Sequence, residues 1–466
     1  MNDSTGTLCW YRMEARTGFL YCSSMDPLAA LPPRPDLSLL AILGYTFFAF
    51  VLGLALTPGF ISFLRRNKLG KQLRVETVDG REASIFRKYH EKKFGTPTMG
   101  GILMWGSIVL TIAFSRLLSY TGLVENSLLQ RGQVYIPLFT LLSLGILGAI
   151  DDYLNIVGAN EEQWSRLIPK IRAWFIGAIC MIAVGLAIAL WSGSLHSLLQ
   201  VPFSGRPSSS LIGILLFLVV LFILLLFLGF SGAVVDDILH RFVMREGKKR
   251  GLGVLPKITS LLALSFIAAA WFYFKNGYDD VSIPFFGVIT LGWWYIPMAM
   301  FVIVGTANAV NVTDGLDGLC GGLLVIAFGS FGVLAFISGL TVLAAFCAVA
   351  AAAIAAFLWH NVPPALFYMG DTGSLALGGS LGVIALMTNQ VALLPLIGAV
   401  FVIEMLSVII QLTSKKLRGG KKVFRAAPIH HHFEALEWGE SKVTMRLWII
   451  GGFCALLGVI IALYSR

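Results

Sequence analysis

Short polar stations, rich in groups that can bind a cation or a phosphate, interrupt a chain that is otherwise strongly apolar. The densest is Asn308-Ala-Val-Asn311-Val-Thr313-Asp314-Gly315-Leu316-Asp317-Gly318, lodged between the apolar run 296–304 and another that starts near Leu319. Two carboxylates, two amides and a hydroxyl therefore sit where a membrane-length segment ends. Ionisable groups in or beside such a segment are costly and mark a functional site by default. A helix cap by Thr313 and Asp314 explains one aspartate, but hardly two aspartates and two asparagines. The other stations are Lys93 to Gly101 with Thr98, the pair Asp151-Asp152, His360-Asn361 leading to Tyr368 and Asp371, Gln411 to Lys416, and His430-His431-His432 after a basic stretch.

Five acidic positions flanked by Gly or Asn suit a hard divalent cation, and Mg²⁺ usually shares its oxygen ligands with substrate phosphates. Lys93 and the basic residues before His430 suit the phosphates themselves. Together these groups favour phosphoryl transfer, in which catalysis is mostly positioning and charge stabilisation. Tyr368, three residues before Asp371, offers a stacking face for a nucleobase, although an aromatic of the membrane interface reads the same way. Consecutive helical residues point about 100° apart, so the three histidines are not one metal's ligands; they read as a loop presenting imidazoles to an anion, or as a solvated surface loop.

The elements that must position these residues are membrane helices. Of the 466 residues 57% are hydrophobic and only 13% charged, which no soluble core requires. Repeated apolar runs of about 20 residues predict an all-α, polytopic transmembrane helical bundle of about twelve helices. The formal net charge of +10 points to cytoplasmic loops rich in Lys and Arg rather than to nucleic acid, for which no basic-aromatic motif appears. Residues 1–36 read as a polar extracytoplasmic segment without a secretory h-region, in which Cys9 and Cys22 are able to pair. Residues 37–466 read as the integral membrane domain. The basic segment after the first helix places its end in the cytoplasm, and alternation then puts every polar station on that side. Helices are expected over about 290–310, 321–337, 340–360, 374–388, 391–413 and 447–464, besides those before residue 290.

The chain also repeats itself, over about 135–205 and 211–287. Asp151-Asp152, Ile168-Pro-Lys-Ile171 and Val201-Pro-Phe203 recur as Asp236-Asp237, Leu255-Pro-Lys257-Ile258 and Ile283-Pro-Phe285. Three landmarks in one order predict a duplicated helix pair.

With these motifs in hand, the sequence resembles the phospho-N-acetylmuramoyl-pentapeptide-transferase family, within the polyprenyl-phosphate N-acetylhexosamine-1-phosphate transferases. The resemblance rests on Gly95-Thr-Pro-Thr-Met-Gly-Gly101, Asp151-Asp-Tyr153, Asn308 to Gly318, Met369-Gly-Asp-Thr-Gly-Ser-Leu-Ala-Leu-Gly-Gly379 and Ala427-Pro-Ile-His-His-His-Phe433, and covers about 60–464 apart from the extra helix pair. It implies transfer of phospho-MurNAc-pentapeptide from UDP-MurNAc-pentapeptide to undecaprenyl phosphate, giving lipid I and UMP, with Mg²⁺ required. It further implies a multi-pass protein of the bacterial cytoplasmic (inner) membrane with its active site facing the cytoplasm; a homodimer is compatible. By motif, Asp151, Asp152 and Asp371 are the catalytic positions, with Asp371 binding metal. Lys93, Thr98, Asn311, Asp314, Asp317, Asn361, Tyr368, Gln411, His430 and His431 are the substrate pocket.

The chain departs from the family pattern in three places. Tyr368 stands where the family has Phe, which keeps the stacking face. The lysine expected three residues after the second aspartate is Asn155 in the first copy and His240 in the second, so Lys170 or a lysine of the second loop must replace it. About twelve helices stand against the family's ten. Asp151-Asp152 are preferred over Asp236-Asp237, whose copy nevertheless keeps the Gly251-Leu252…Lys257 pattern. Two other readings remain at this stage. One is a secondary transporter, since twelve helices with a repeat is a common transporter plan. The other is a sibling transferase using UDP-N-acetylglucosamine.

Overall fold

The computed structural model describes residues 11–13, 20–22, 37–70, 95–157 without 123, 125, 126, 130 and 131, and 254–465. Lys93, Lys170, the pair Asp236-Asp237, His240 and most of both repeat copies lie outside the described residues, as does most of the segment 1–36. Within the described residues the chain is a helical bundle, formed by α1 (Leu39–Arg66), α2 (Gly101–Tyr120), α3 (Tyr135–Val157), α4 (Val254–Ala270), α5 (Tyr295–Thr313), α6 (Leu319–Ile337), α7 (Thr341–Asn361), α8 (Gly370–Met387), α9 (Leu394–Ile397), α10 (Ala399–Leu417), α11 (Ile429–Glu434) and α12 (Glu440–Tyr464). Nine helical stretches among them are long and apolar enough to cross a membrane, and ten if α9 and α10 with their 82° bend form one broken span. Helices dominate because a lipid-embedded backbone must satisfy its own hydrogen bonds.

Two helices form the centre. The share of the span buried inside the protein is 22% for α1 but 78% for α7 and 89% for α8. Sequence accounts for this: α7 is largely Ala, and α8 is largely Gly, Ser, Ala and Leu. Between helices in lipid, small residues permit the close backbone approach that dispersion needs. Helix α8 packs on α3, α5 and α2, while α7 packs on α6 and α1. A Cβ at Gly148 of α3 would lie 2.2 Å from the Asp371 carbonyl oxygen, and one at Gly101 of α2 would lie 2.1 Å from the Gly373 nitrogen. The outer helices carry exposed Leu, Ile, Phe and Val, such as Leu40, Phe47, Phe301, Phe453 and Leu456, as a lipid-facing surface requires.

Three local differences from the sequence expectation matter. The helix expected from 374 begins at Gly370, so Asp371 stands in its first turn. The run expected as one helix over 391–413 is broken at Gly398. The histidine segment, expected as a loop, is the short helix α11. Among the described residues strand is confined to two hairpins, Tyr11–Met13 with Leu20–Cys22 (β1, β2) and Asp280–Ile283 with Gly287–Thr290 (β3, β4). The second hairpin is tied by the Ser282 N–H to Asn389 Oδ1, 3.0 Å, beyond the C-terminal end of α8, and so lies at the end of the bundle away from Asp371.

Inside a helix, Ala is ordinarily favoured over Gly by about 1 kcal/mol, whereas forcing a methyl into a filled crossing costs about 1–3 kcal/mol. Gly148→Ala is therefore expected to lower the thermal midpoint of the detergent-solubilised protein. Gly106→Ala, which would meet nothing within 4 Å, should leave it unchanged or raise it. Equal midpoints for the two variants would contradict the close α3–α8 crossing.

Candidate active site

The site is built on the first turn of α8. Gly370 has φ +71°, a left-handed turn that suits glycine, and a Cβ there would lie 2.3 Å from Asp152 Oδ2. That close approach lets Asp152 of α3 receive the start of α8. Its Oδ1 accepts the Asp371 N–H at 3.1 Å, and its Oδ2 accepts the Thr372 N–H at 3.0 Å and the Thr372 hydroxyl at 2.6 Å. A helix N-terminus has unpaired N–H groups and a positive dipole end, so a carboxylate is stabilised there. Asp152 is buried, and these three bonds use both its oxygens. The geometry makes it the holder of α8.

Asp371 and Asp151 face each other across a lysine. Lys257, at the start of α4, donates to Asp151 Oδ2 at 3.0 Å and to Asp371 Oδ2. The other Asp371 oxygen accepts from Asn311 Nδ2 at 2.7 Å, and the same amide nitrogen reaches Ser374 Oγ at 2.9 Å. Two carboxylates, an ammonium and an amide are thus brought to one end of the bundle by α3, α4, α5 and α8. Lys257 thus pairs with both carboxylates. The sequence reading missed it as a site residue, although it stood in the Leu255-Pro256-Lys257-Ile258 landmark; Thr372 and Ser374 were likewise inside a quoted motif without a role.

The remaining candidates fall around this cluster. Asp314, the residue that ends α5, accepts the Gly370 N–H at 3.2 Å through Oδ2. The segment before α2 lies along the segment before α8. The Tyr368 N–H donates to the Pro97 carbonyl at 2.8 Å, and the Gly100 and Gly101 N–H groups donate to the Tyr368 and Met369 carbonyls at 2.8 and 2.9 Å. Thr98 is thereby buried beside Gly370, where a Cβ would lie 2.9 Å from its hydroxyl. The Tyr368 hydroxyl has its pKa raised, chiefly by burial and next by the Asp317 charge, with Glu440 and Asp314 adding to it, so it stays protonated at neutral pH.

Asp317 and Asn361 hold loops. Asp317 Oδ2 accepts the Ala365 N–H at 3.0 Å while its own N–H donates to Glu440 Oε1 at 2.7 Å. Asn361 accepts the Gly318 N–H through Oδ1 at 3.0 Å and donates to the Phe367 carbonyl at 2.9 Å. Gln411 accepts from the Val423 and Phe424 N–H groups at 2.9 and 3.0 Å and donates to the Phe424 carbonyl at 2.9 Å, fixing the basic segment before α11.

The three histidines take different hydrogen-bond partners, although the His430 and His431 rings pack edge to face with centroids 4.1 Å apart. His430 Nδ1 is 3.0 Å from Glu404 Oε2, His431 Nδ1 is 2.6 Å from Glu434 Oε2, and His432 Nδ1 accepts the Arg425 N–H at 3.1 Å. His430 is fully buried, with its ring behind Gly315, whereas the His431 side chain keeps 19% of its surface open. Of the sequence candidates, Asp151, Asp152, Asp371, Asn311, Asp314 and Thr98 thus meet directly. Asp317, Asn361, Tyr368, Gln411, His430 and His431 surround them through the loops they hold.

Comparison with known proteins follows the same lines. The family model described as Glycosyl transferase family 4 matches residues 215–389. That stretch takes in Asp236-Asp237, Lys257, Asp314 and Asp371 and leaves Asp151-Asp152 before it. Similar curated proteins extend much further. The phospho-N-acetylmuramoyl-pentapeptide-transferase of Chloroflexus aurantiacus is 33% identical over 89% of this chain and 88% of its own length. The one of Anoxybacillus flavithermus is 33% identical over 89% and 96%, and that of Thermodesulfovibrio yellowstonii is 34% identical over 91% and 92%. By matches of that identity and extent, this chain belongs to the phospho-N-acetylmuramoyl-pentapeptide-transferase family.

Proposed function

We propose that the chain transfers phospho-MurNAc-pentapeptide from UDP-MurNAc-pentapeptide to undecaprenyl phosphate, producing lipid I and UMP, at the cytoplasmic face of the bacterial inner membrane. The observation that carries this reading is Lys257 held between Asp151 and Asp371, with Asn311 on the far side of Asp371. Phosphoryl transfer draws on positioning and charge stabilisation, and this cluster supplies both. An oxygen of the lipid phosphate bonds to the sugar-bearing phosphorus. The bridging bond between the two phosphorus atoms' shared oxygen and that phosphorus breaks, and UMP leaves with the bonding pair. Lys257 offsets negative charge on the diphosphate. Asn311 orients Asp371, and Asp152 keeps the first turn of α8 in register.

The donor set fits Mg²⁺. Among the described residues no three His, Cys, Asp or Glu side chains form a metal cage, and Mg²⁺ characteristically uses one or two carboxylates together with substrate phosphates and water. Asp371 and Asp151 are the carboxylates that would hold it. Bound there, it would supply Lewis-acid charge to the diphosphate. Asp314, Tyr368, His431 and Thr98 line the pocket in this reading, and Asp317, Asn361 and Gln411 act by holding the loops that shape it. The transporter alternative has no support in a polar cluster gathered at one end of the helices, since transporter sites lie near the midplane.

The test is release of UMP by the purified protein in lipid nanodiscs. Release should require both Mg²⁺ and a polyprenyl phosphate, and a UDP-N-acetylglucosamine donor should not replace the muropeptide. Asp371→Ala and Lys257→Gln should each lower turnover by about 10²–10³-fold, the usual effect of removing one group that stabilises transition-state charge; full turnover by Asp371→Ala would remove the residue assignment. Asp152→Asn should impair turnover and Asp237→Asn should not. The opposite pattern would assign the reaction to the second aspartate pair.

A further inference from the structure

One buried pair has no part in the transfer as described. Glu404 lies within α10 and His430 is the second residue of α11, and both are fully buried. Glu404 Oε2 is 3.0 Å from His430 Nδ1 and accepts the His430 backbone N–H at 3.4 Å. Glu404 Oε1 and His430 Nε2 have no hydrogen-bond partner among the described residues. A carboxyl group inside a membrane-spanning helix is costly, and so is leaving buried polar atoms unpaired. An apolar pair of similar volume would join α10 to α11 without either loss, so packing alone does not account for this one.

The far side of the imidazole supplies the reason. Nε2 lies against Gly315, where a Cβ would be only 2.2 Å from it and 2.7 Å from Cε1. Gly315 follows Asp314, and Asp314 Oδ2 accepts the N–H of Gly370, the residue before Asp371. The contacts form one line: Glu404 behind the ring, the ring behind the turn, the turn on the N-terminus of α8. The ring packs edge to face on the His431 ring, centroids 4.1 Å apart, and its one side-chain hydrogen bond among the described residues, to Glu404, helps to set its rotation about Cβ–Cγ. The Glu404 oxygen is positioned to do so, in the way that a carboxylate orients a ligating or catalytic histidine.

We propose that Glu404 is a positioning residue: through His430 it presses the Asp314-Gly315 turn onto Gly370 and so sets the place of Asp371. It touches no substrate. Its effect on turnover rests on the transfer reading above; the mechanical link to Gly370 does not. What matters is the hydrogen bond to Nδ1, so Gln at 404, which keeps an acceptor oxygen, should replace Glu, and Leu should not.

The experiment reads the link first by hydrogen–deuterium exchange of the full-length protein in nanodiscs, without substrate. Glu404→Leu and His430→Ala should each speed exchange of peptides covering 314–319 and 370–372 by about tenfold or more, at unchanged exchange in α7 and α12, and Glu404→Gln should match wild type. In the UMP-release assay Glu404→Leu should lose about 10–100-fold, the usual cost of removing a residue that orients a functional histidine. Glu404→Gln should stay within about threefold of wild type, and adding Glu404→Leu to His430→Ala should cost nothing further, because both act along one line. Wild-type exchange at those peptides in a folded Glu404→Leu protein, a failure of Gln to restore it, or fully additive losses would overturn the proposal. A wild-type protein that releases no UMP, with the exchange pattern as expected, would instead overturn the transfer reading and leave the positioning role standing.

Discussion

Everything at the candidate site depends on one buried carboxylate meeting one helix end. Asp152 takes two backbone N–H groups and a hydroxyl from Asp371 and Thr372. An aspartate removed from water is strongly unfavourable unless hydrogen-bonded, and the first turn of a helix is where unpaired donors and a favourable dipole coincide. The same contact settles two problems: the carboxylate is solvated by protein, and α8 is locked to α3. Because the locked residue is Asp371 itself, the bond that secures the fold also aims the side chain that faces Lys257.

Such a contact requires backbones to approach more closely than ordinary side chains allow. Gly148 and Gly370 supply the approach, and the Gly, Ala and Ser content of α7 and α8 extends it through the bilayer. Helices in lipid gain little from excluding water, so dispersion and interhelical hydrogen bonds must hold them. The bundle accordingly concentrates small residues at its centre and leaves large ones at its rim, where Phe47, Phe301 and Phe453 are exposed. The far end carries the β3–β4 hairpin with exposed Phe285, Phe286, Trp293 and Trp294, aromatics of the kind that favour a membrane interface.

The cluster also draws on both stretches that resemble each other in sequence. Asp151 and Asp152 precede residues 158–253, and Lys257 follows them. The two copies had divided the expected features between them, one with the better-placed aspartates and the other with the Gly-Leu…Lys pattern. In the structure Asp151 of the first and Lys257 of the second form an ion pair. Helices α3 and α4 pack side by side, which brings Asp151 and Lys257 together although they are 106 residues apart in sequence.

Much of this was legible in the chain itself. A bilayer demands about 20 apolar residues per span with every backbone bond made internally, so the runs that became α1, α2, α5, α6, α7 and α12 announced themselves, and polar stations such as Asn308–Gly318 and Asp371 stood out against them. Helix ends were less legible: Asp371 looked like part of a loop because its pairing with Asp152 lies 219 residues away. Nor did sequence distinguish a pocket side chain from a loop holder. Asn361, Asp317 and Gln411 carry the same groups as Asn311, and only the position of their partners tells them apart. Sequence by itself determined the membrane bundle and its set of polar residues, because apolar length and buried charge are local constraints. Tertiary structure decided which aspartate caps α8, which lysine stands between the carboxylates and which histidine is buried, because each of those depends on where helices remote in sequence come to rest against one another.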